Sequence, residues 1–481
     1  MVLSKSKPEL FRKKLFNSEK GMDRDRLEPA VNASRVRVAA DGGRARSMSD
    51  PICAPATPLL PSAVAIVRVS GSGLAARLGP LTSLPAPRRA GLRVLAWDGF
   101  QEQALVLFFP GPRSYTGEDL VEFQLHGNPL LVKRFLEQLG LMGIRLAEPG
   151  EFTRRALLNG KQSLLEAEAL RDLVNAATDT QVRQAQARSG ALPAWVAQAR
   201  DTLAPWLARA EASVDYGEEE GIVLELEAMR QALAPLTELF HVEQGLASAA
   251  GWLLDGIRVA LVGRPNAGKS TLFNCLAGAD RAIVTELPGT TRDVLEVRAQ
   301  WAGLPLFLFD TAGLRRSEDP VERLGVARVR GVLEQADLIL HLVPLPDPAP
   351  DPDILERLAP FAGKVLTVRN QADLGGPGAD GPRISARTGD LEPLAEALRE
   401  RFLGGLAPDA CLGALATRRQ RELLDELVVQ MDLLLGLEPG TPPELAASAL
   451  QGAWGLLARL TGEDRAESAL DQVFSGFCLG K

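Results

Sequence analysis

The stretch GRPNAGKS, Gly263 to Ser270, decides how the segment around it folds. It follows the mostly apolar run Ile257 to Val262, which reads as a buried strand, and it opens into Thr271 to Leu276, which reads as a helix. Strand, glycine-containing loop and helix in that order form a phosphate cradle. Gly263 and Gly268 let the backbone curl so that several N–H groups point inward at a phosphate, Lys269 adds a mobile positive charge, and the Ser270 hydroxyl suits a magnesium ion. Asn266, Ala267, Gly268, Lys269, Ser270 and Thr271 are therefore the expected nucleotide contacts, with Lys269 also a catalytic candidate.

Three further segments, in the right order, turn a nucleotide site into a guanine nucleotide site. Asp310 to Gly313, DTAG, follows the apolar run Leu304 to Phe309, so Asp310 falls at a strand end where it can hold magnesium through water. Thr311 and Ala312 follow it, and Gly313 can offer its N–H to a γ-phosphate. Gly289 to Thr291, GTT, lies between the two phosphate motifs, where Thr291 can reach the metal. Asn370 to Asp373 follows the strand-like Lys364 to Arg369, and the Asp373 carboxylate can accept two hydrogen bonds from a guanine edge, which adenine cannot donate. Ser385, Ala386 and Arg387 then supply a short turn for the guanine oxygen. Each motif alone is weak; four in order make GTP the expected substrate.

The totals allow about three domains. The chain has 481 residues, 46% of them hydrophobic, and a formal charge of -7. With a pI near 5.4 the balance is acidic, which argues against a bulk electrostatic grip on nucleic acid, so any RNA binds locally or through a partner. Cys53, Cys275, Cys411 and Cys478 are scattered without metal-ligand spacing, which points to neither a disulfide framework nor a zinc site and fits a reduced cytoplasmic setting. The longest apolar runs fall far short of the ~18 residues that suggest a spanning helix.

Residues 1–47 are rich in Lys and Arg and poor in apolar periodicity, and read as a disordered extension; Glu9, Glu19, Asp23, Asp25, Glu28 and Asp41 speak against a transit peptide. From Ala63 the pattern is α+β: Ala63 to Val69, Gln103 to Phe109 and Leu120 to Leu125 read as strands, and Leu130 to Leu139 as a helix. From about Gln162 the period becomes helical, through Leu165, Leu173, Trp195, Leu203 and Trp206, with breaks at Leu192 to Pro193 and around Asp215 to Gly221, and a further run from Leu224 to Leu254. The same texture returns in Arg421 to Leu435 and Leu445 to Leu460. Neither half has an obvious partner for its apolar stripe, so one helical domain built from both halves, with the nucleotide segment inserted as a cassette, is expected. Independent domains on either side are the alternative. The Pro-rich stretch Pro344 to Pro352 reads as a surface loop.

Four signatures carry a family resemblance: GRPNAGKS with Asn266, AIVTELPGTTRD (Ala282 to Asp293), DTAGLR, and the closing FCLGK (Phe477 to Lys481). From Met48 onward the chain resembles the TrmE-Era-EngA-like GTPases and, within them, the tRNA-modifying members. The start at Met48, MSDPICAPATP, looks like that family's own, which places the first 47 residues upstream of it. The resemblance implies a multidomain α+β and α/β protein. Its parts are an α+β folate-binding N-terminal domain (48–158), an α-helical domain (159–255 and 406–481) and an inserted Ras-like P-loop GTPase domain (256–405).

Residue by residue, the resemblance puts Arg68, Glu122, Lys161 and Lys481 at folate contacts, the ligand being 5-formyl- or 5,10-methylene-tetrahydrofolate. By chemistry a cation suits a folate's glutamate tail and Glu122 suits its pterin edge. Without the resemblance, these charges would read as ordinary solvated ones. His126 reads as a satisfied strand-end histidine. Asn128 departs from the family's HGG, and Cys478 is open between a nucleophile and a flexible tail thiol.

Within the nucleotide segment, Leu314 stands directly after the DTAG glycine, and a leucine cannot orient an attacking water as a glutamine there does. The resemblance supplies another arrangement: a potassium ion held by Asn266 with Thr285, Leu287 and Thr290, completed when two GTPase domains of a homodimer meet, and Glu322 as the catalytic glutamate. Gln371 stands where the family has a lysine, which predicts weakened nucleotide affinity with guanine choice kept by Asp373. The implied function is GTP-driven modification of carbon 5 of the wobble uridine 34 of certain tRNAs. It is performed with a flavin-dependent partner, MnmG (GidA), that carries the FAD, in a hetero-oligomer through which tRNA is engaged. A ribosome-assembly GTPase and a folate-dependent aminomethyltransferase with a regulatory GTPase domain are the alternatives.

Overall fold

In this computed structural model the structure describes residues 50–189, 193–220, 223–278, 296–309, 330–347, 351–376 and 380–463, with Val473, Phe474, Phe477 and Gly480 of the C-terminal tail. The first domain is a six-stranded sheet in the order β3-β4-β5-β2-β1-β6, from β1 (Ile52–Pro55), β2 (Ser62–Gly71), β3 (Gly91–Trp97), β4 (Phe100–Phe109), β5 (Asp119–Gly127) and β6 (Arg145–Leu146). Alternation buries one face: Val67, Val69, Phe123, Leu125, Ala104 and Val106 meet α1 (Leu74–Leu78) and α2 (Pro129–Leu141), where the Phe123 and Phe135 rings touch edge-on at 5.1 Å.

Asn128 explains its departure from HGG by capping α2, its side chain accepting from the Leu130 and Leu131 N–H groups at φ −93. Only Gly127 beside it is constrained, since a Cβ there would lie 2.1 Å from Ser62 Oγ.

Short helices α3 (Glu151–Leu158), α4 (Leu164–Asn175) and α5 (Asp179–Arg188) lead to the long α6 (Ala194–Glu220) and α7 (Leu226–Asp255). The break expected around Asp215 to Gly221 falls at the far end of that range: α6 continues to Glu220, keeping Pro205 inside it, and α7 opens at Leu226. After the nucleotide segment come α11 (Arg418–Leu435) and α12 (Pro443–Thr461), whose Leu424, Leu427, Met431, Leu450 and Leu457 share one core with Val196, Leu203, Leu233 and Phe240. Buried Glu168 of α4 fastens the two halves, accepting from Arg419, Gln420 and Thr417 at the start of α11.

The nucleotide segment is a five-stranded sheet, β11-β10-β7-β9-β8, parallel except for the β8–β9 hairpin. Its strands are β7 (Ile257–Gly263), β8 (Glu296–Trp301), β9 (Leu304–Phe309), β10 (Leu338–Pro344) and β11 (Val365–Asn370), with helices α8 (Lys269–Gly278), α9 (Pro352–Leu358) and α10 (Glu392–Leu403). Its core takes in Ala249, Ala250 and Leu253 of α7, so the end of that helix is built into the sheet. Of the Pro-rich stretch, Pro344 ends β10 and Pro352 opens α9, while residues 348–350 lie outside the described residues. Among the described residues no helix is long and apolar enough to cross a membrane.

Candidate functional site

The C-terminal ends of parallel strands are where ligands bind in such sheets, and β7, β10 and β11 bring their loops together there. β7 ends at Gly263, whose added Cβ would meet Leu342 O at 2.5 Å, so glycine lets β7 and β10 lie close. The loop then turns through Asn266 at φ 60 and Gly268 at φ 89 into α8. Lys269 folds back over it, donating to the carbonyls of Gly263 (2.8 Å) and Arg264 (2.6 Å). Ser270 stands in the first turn of α8, exposed, followed by Thr271.

β11 delivers the residues expected to read the base. Asn370 is 2% exposed, and its amide joins two loops: Nδ2 donates to Ala267 O at 2.8 Å, and Oδ1 accepts from the Ala386 N–H at 3.1 Å. A Cβ on Gly268 would stand 2.1 Å from that Nδ2, which is why the phosphate loop needs glycine at this point. Gln371, at φ 64, reaches the loop too, Nε2 donating to Asn266 O at 3.0 Å. Asp373 is held from both sides, Oδ1 by the Ser385 hydroxyl and Oδ2 by Arg387, each at 2.6 Å. The Ser385 bond, against a smaller upward push from burial and with help from Arg387, keeps this carboxyl below its ordinary range and therefore charged. An anionic carboxylate framed by such donors can accept from the N–H groups of a guanine.

The structure thus assembles Asn266, Ala267, Gly268, Lys269, Ser270, Thr271, Asn370, Asp373, Ser385, Ala386 and Arg387 around one strand-end junction. Thr285, Leu287, Thr290, Thr291, Asp310, Thr311, Ala312, Gly313, Leu314 and Glu322 lie outside the described residues, as do Cys478 and Lys481.

A second polar cluster forms in the first domain. Arg68 and Glu122 face each other across β2 and β5, Oε1 accepting from Nε (3.0 Å) and Nη2 (2.8 Å). The third nitrogen of Arg68 donates to Gly480 O at 3.3 Å, and the guanidinium lies 5.4 Å from the centre of Tyr115 and 5.9 Å from that of Phe152. Arg68 is therefore a node joining strand, rings and tail, not the independent cation that its charge alone suggested.

Lys161 lies nearby, its side chain against Gly117. Asn159 Nδ2 donates to Thr116 O at 2.7 Å, and Thr116 shares a 2.7 Å hydroxyl contact with Ser70 of β2. Behind them Arg155, 1% exposed, bonds Glu118 and Glu151 and the Asp50 carbonyl. Sequence reasoning did not single out Tyr115, Phe152 or Arg155, and reached Gly480 only as part of the closing FCLGK.

A phosphate loop tied by a buried asparagine and a glutamine to a base-reading loop is the junction of a P-loop GTPase, here inserted between two halves of a helical domain. Comparison with known proteins narrows that class. Residues 51–161 match the family model described as GTP-binding protein TrmE N-terminus, and residues 164–478 match the MnmE helical domain. The tRNA modification GTPase MnmE of Acidiphilium cryptum is 42% identical over 442 residues, covering 90% of this chain and 99% of that protein. A counterpart in Thermus thermophilus is 41% identical over 449 residues, covering 90% of this chain and all of that one. The chain belongs to the MnmE family of tRNA modification GTPases.

Proposed function

We propose that this chain couples GTP hydrolysis to modification of carbon 5 of the wobble uridine 34 of certain tRNAs, producing aminomethyl or carboxymethylaminomethyl groups. The observation that carries the reading is one chain holding both a guanine-reading carboxylate, Asp373, and a TrmE-type N-terminal domain with its own enclosed polar cluster around Arg68. The GTPase segment is assigned to 256–405, the helical domain to 159–255 and 406–481, and the folate domain to 48–158; the extension 1–47 lies outside the described residues.

In this reading the P-loop N–H groups and Lys269 hold the β- and γ-phosphates, Ser270 and Thr291 ligate Mg2+ with Asp310 acting through water, and Asp373, Asn370 and the Ser385 turn select guanine. Glu322 orients water. Potassium fits Asn266, whose left-handed backbone turns an exposed amide side chain out at the loop crest; Thr285, Leu287 and Thr290 would complete its shell. When bound, the ion would supply positive charge against the charge that develops on the phosphates, in the place of an arginine finger, and a homodimer brings two such sites face to face.

The N-terminal cluster fits a tetrahydrofolate in part: Glu122 and Lys161 suit its polar edges. Arg68, already neutralised by Glu122, suits shaping the site rather than pairing with a glutamate tail. A bound folate supplies the one-carbon unit. MnmG brings FAD and, with this chain, the tRNA, in the cytoplasm.

The test compares GTP turnover in potassium and in sodium, with Asn266→Ala as control. A potassium-dependent rate lost in the variant supports the reading; equal rates in both salts overturn the cation assignment.

A further inference from the structure

We propose that Thr180, Gln181 and Gln184 of α5 are positioning residues that set the GTPase segment against the rest of the chain and carry its nucleotide state to the N-terminal cluster. The buried face of α5 is polar. Thr180, Gln181 and Gln184 are 1%, 6% and 0% exposed, a helix face that would ordinarily be apolar. All of these side chains bond backbone of, or next to, the GTPase segment.

The chain passes into that segment at the end of α7, where Gln181 Nε2 donates to Leu254 O at 2.7 Å. It returns before α11, where Gln184 both donates to Ala414 O and accepts from the Gly413 N–H, each at 3.3 Å. Thr180 grips the turn of the β8–β9 hairpin, its hydroxyl donating to Gly303 O (3.0 Å) and its N–H to the Gln300 side chain (3.2 Å).

That hairpin is a lever by topology. In sequence it joins the GTT motif, ahead of β8, to Asp310, directly after β9, so the phosphate-facing motifs attach at one end. The turn that α5 holds is at the other end, about 20 Å away for six-residue strands. From α5 the contacts continue: Arg188 bonds Asp172 of α4 at 2.7 Å, and Leu164 and Ala167 of α4 pack on Phe474 and Phe477, in the same tail as Gly480, whose carbonyl accepts from Arg68.

Neutral side-chain-to-backbone bonds can be exchanged for water without exposing apolar surface, unlike a packed hydrophobic seam. Beside them lies a cavity of about 440 Å³, lined among others by Gln181, Leu254, Asp255, Arg298 and Thr417, which gives the joint room to shift. The proposal rests on residues 256–405 being the GTPase, and GTP turnover by the unsubstituted protein reports on that separately.

The experiment uses the full chain with Gln184→Leu, Thr180→Val and the hydroxyl-retaining Thr180→Ser, measuring GTP hydrolysis and amide hydrogen exchange with GDP or a non-hydrolysable GTP analogue. In the unsubstituted protein, exchange around Arg68 is expected to differ several-fold between the two nucleotides. Gln184→Leu and Thr180→Val should abolish that difference, and Gln184→Leu should speed exchange at Gly413, whose N–H the glutamine accepts, about tenfold, with hydrolysis within twofold of the starting rate, while Thr180→Ser keeps the difference. Should Gln184→Leu not fold, the Thr180 pair decides. A nucleotide-independent Arg68 region in the unsubstituted protein, or equal behaviour of Thr180→Val and Thr180→Ser, overturns the proposal.

Discussion

Gln371 Nε2 donates to the backbone carbonyl of Asn266 at 3.0 Å, and both residues occupy left-handed backbone conformations, at φ 64 and φ 60. The amide therefore spans from the base-reading loop to the phosphate loop despite being shorter than the lysine it stands in for. The sequence predicts weakened nucleotide affinity from the lost charge and length; in the structure the shorter side chain makes a neutral hydrogen bond between the two loops. Such a bond contributes about 1 kcal/mol net. Gln371→Leu is expected to speed GDP release roughly fivefold, and Gln371→Lys, which restores a donor, to reverse this. Stopped-flow release of a fluorescent GDP measures it; unchanged release from Gln371→Leu removes the tie from the binding mechanism.

Asp373 receives Ser385 and Arg387 on opposite oxygens. Because its charge is maintained by the Ser385 bond first, Asp373→Asn should lose guanine preference and gain xanthine nucleotides, which present an acceptor where guanine presents a donor. Competition between GTP and xanthosine triphosphate measures the exchange of preference. No change in preference would show that another group reads the base.

How much of this was legible beforehand follows from where the signal sits. β7 and β9 are buried along most of their length and read as continuous apolar runs, so the phosphate motifs could be placed at their strand ends. β3 was not read, because it is an edge strand that leaves Leu92 and Val94 exposed. β1 has only four residues and depends on Val67 and Val69 of its neighbour. The break between α6 and α7 falls after Glu220 and not at Asp215, because the helix lies against both α7 and α12 and carries on through Gly217. The Arg68 to Gly480 bond joins residues 412 positions apart, and no local pattern encodes it.

The buried Glu168 accepts from four donors across 249 to 252 residues of sequence, and Arg419 also donates to the carbonyls of Arg459 and Leu460 at the end of α12. Removing the cation strands a carboxylate that is 1% exposed, so Arg419→Ala should cost about 3 to 5 kcal/mol. Glu168→Gln, which keeps an acceptor, should cost less. Urea unfolding followed by far-UV circular dichroism ranks the two, and equal small losses would mean that the apolar core alone joins the halves.

Glu151 supplies the acid sensitivity of the first domain. Burial pushes its carboxyl up, but bonds from Arg145, the Glu148 N–H and Arg155 outweigh this and bring it to about 2 from an ordinary 4.5. A depressed carboxyl contributes its stability in full above its unfolded value and loses it as pH falls toward the folded one, so the window runs from 4.5 down to about 2. The difference corresponds to about 3 kcal/mol at neutral pH. Glu151→Gln should therefore lower stability at pH 7 by that order and flatten the decline between pH 4.5 and 2. Thermal midpoints of the two proteins across that range test it: parallel curves would place the acid transition on other carboxylates, whereas converging curves assign it to the Arg145, Glu151 and Arg155 cluster.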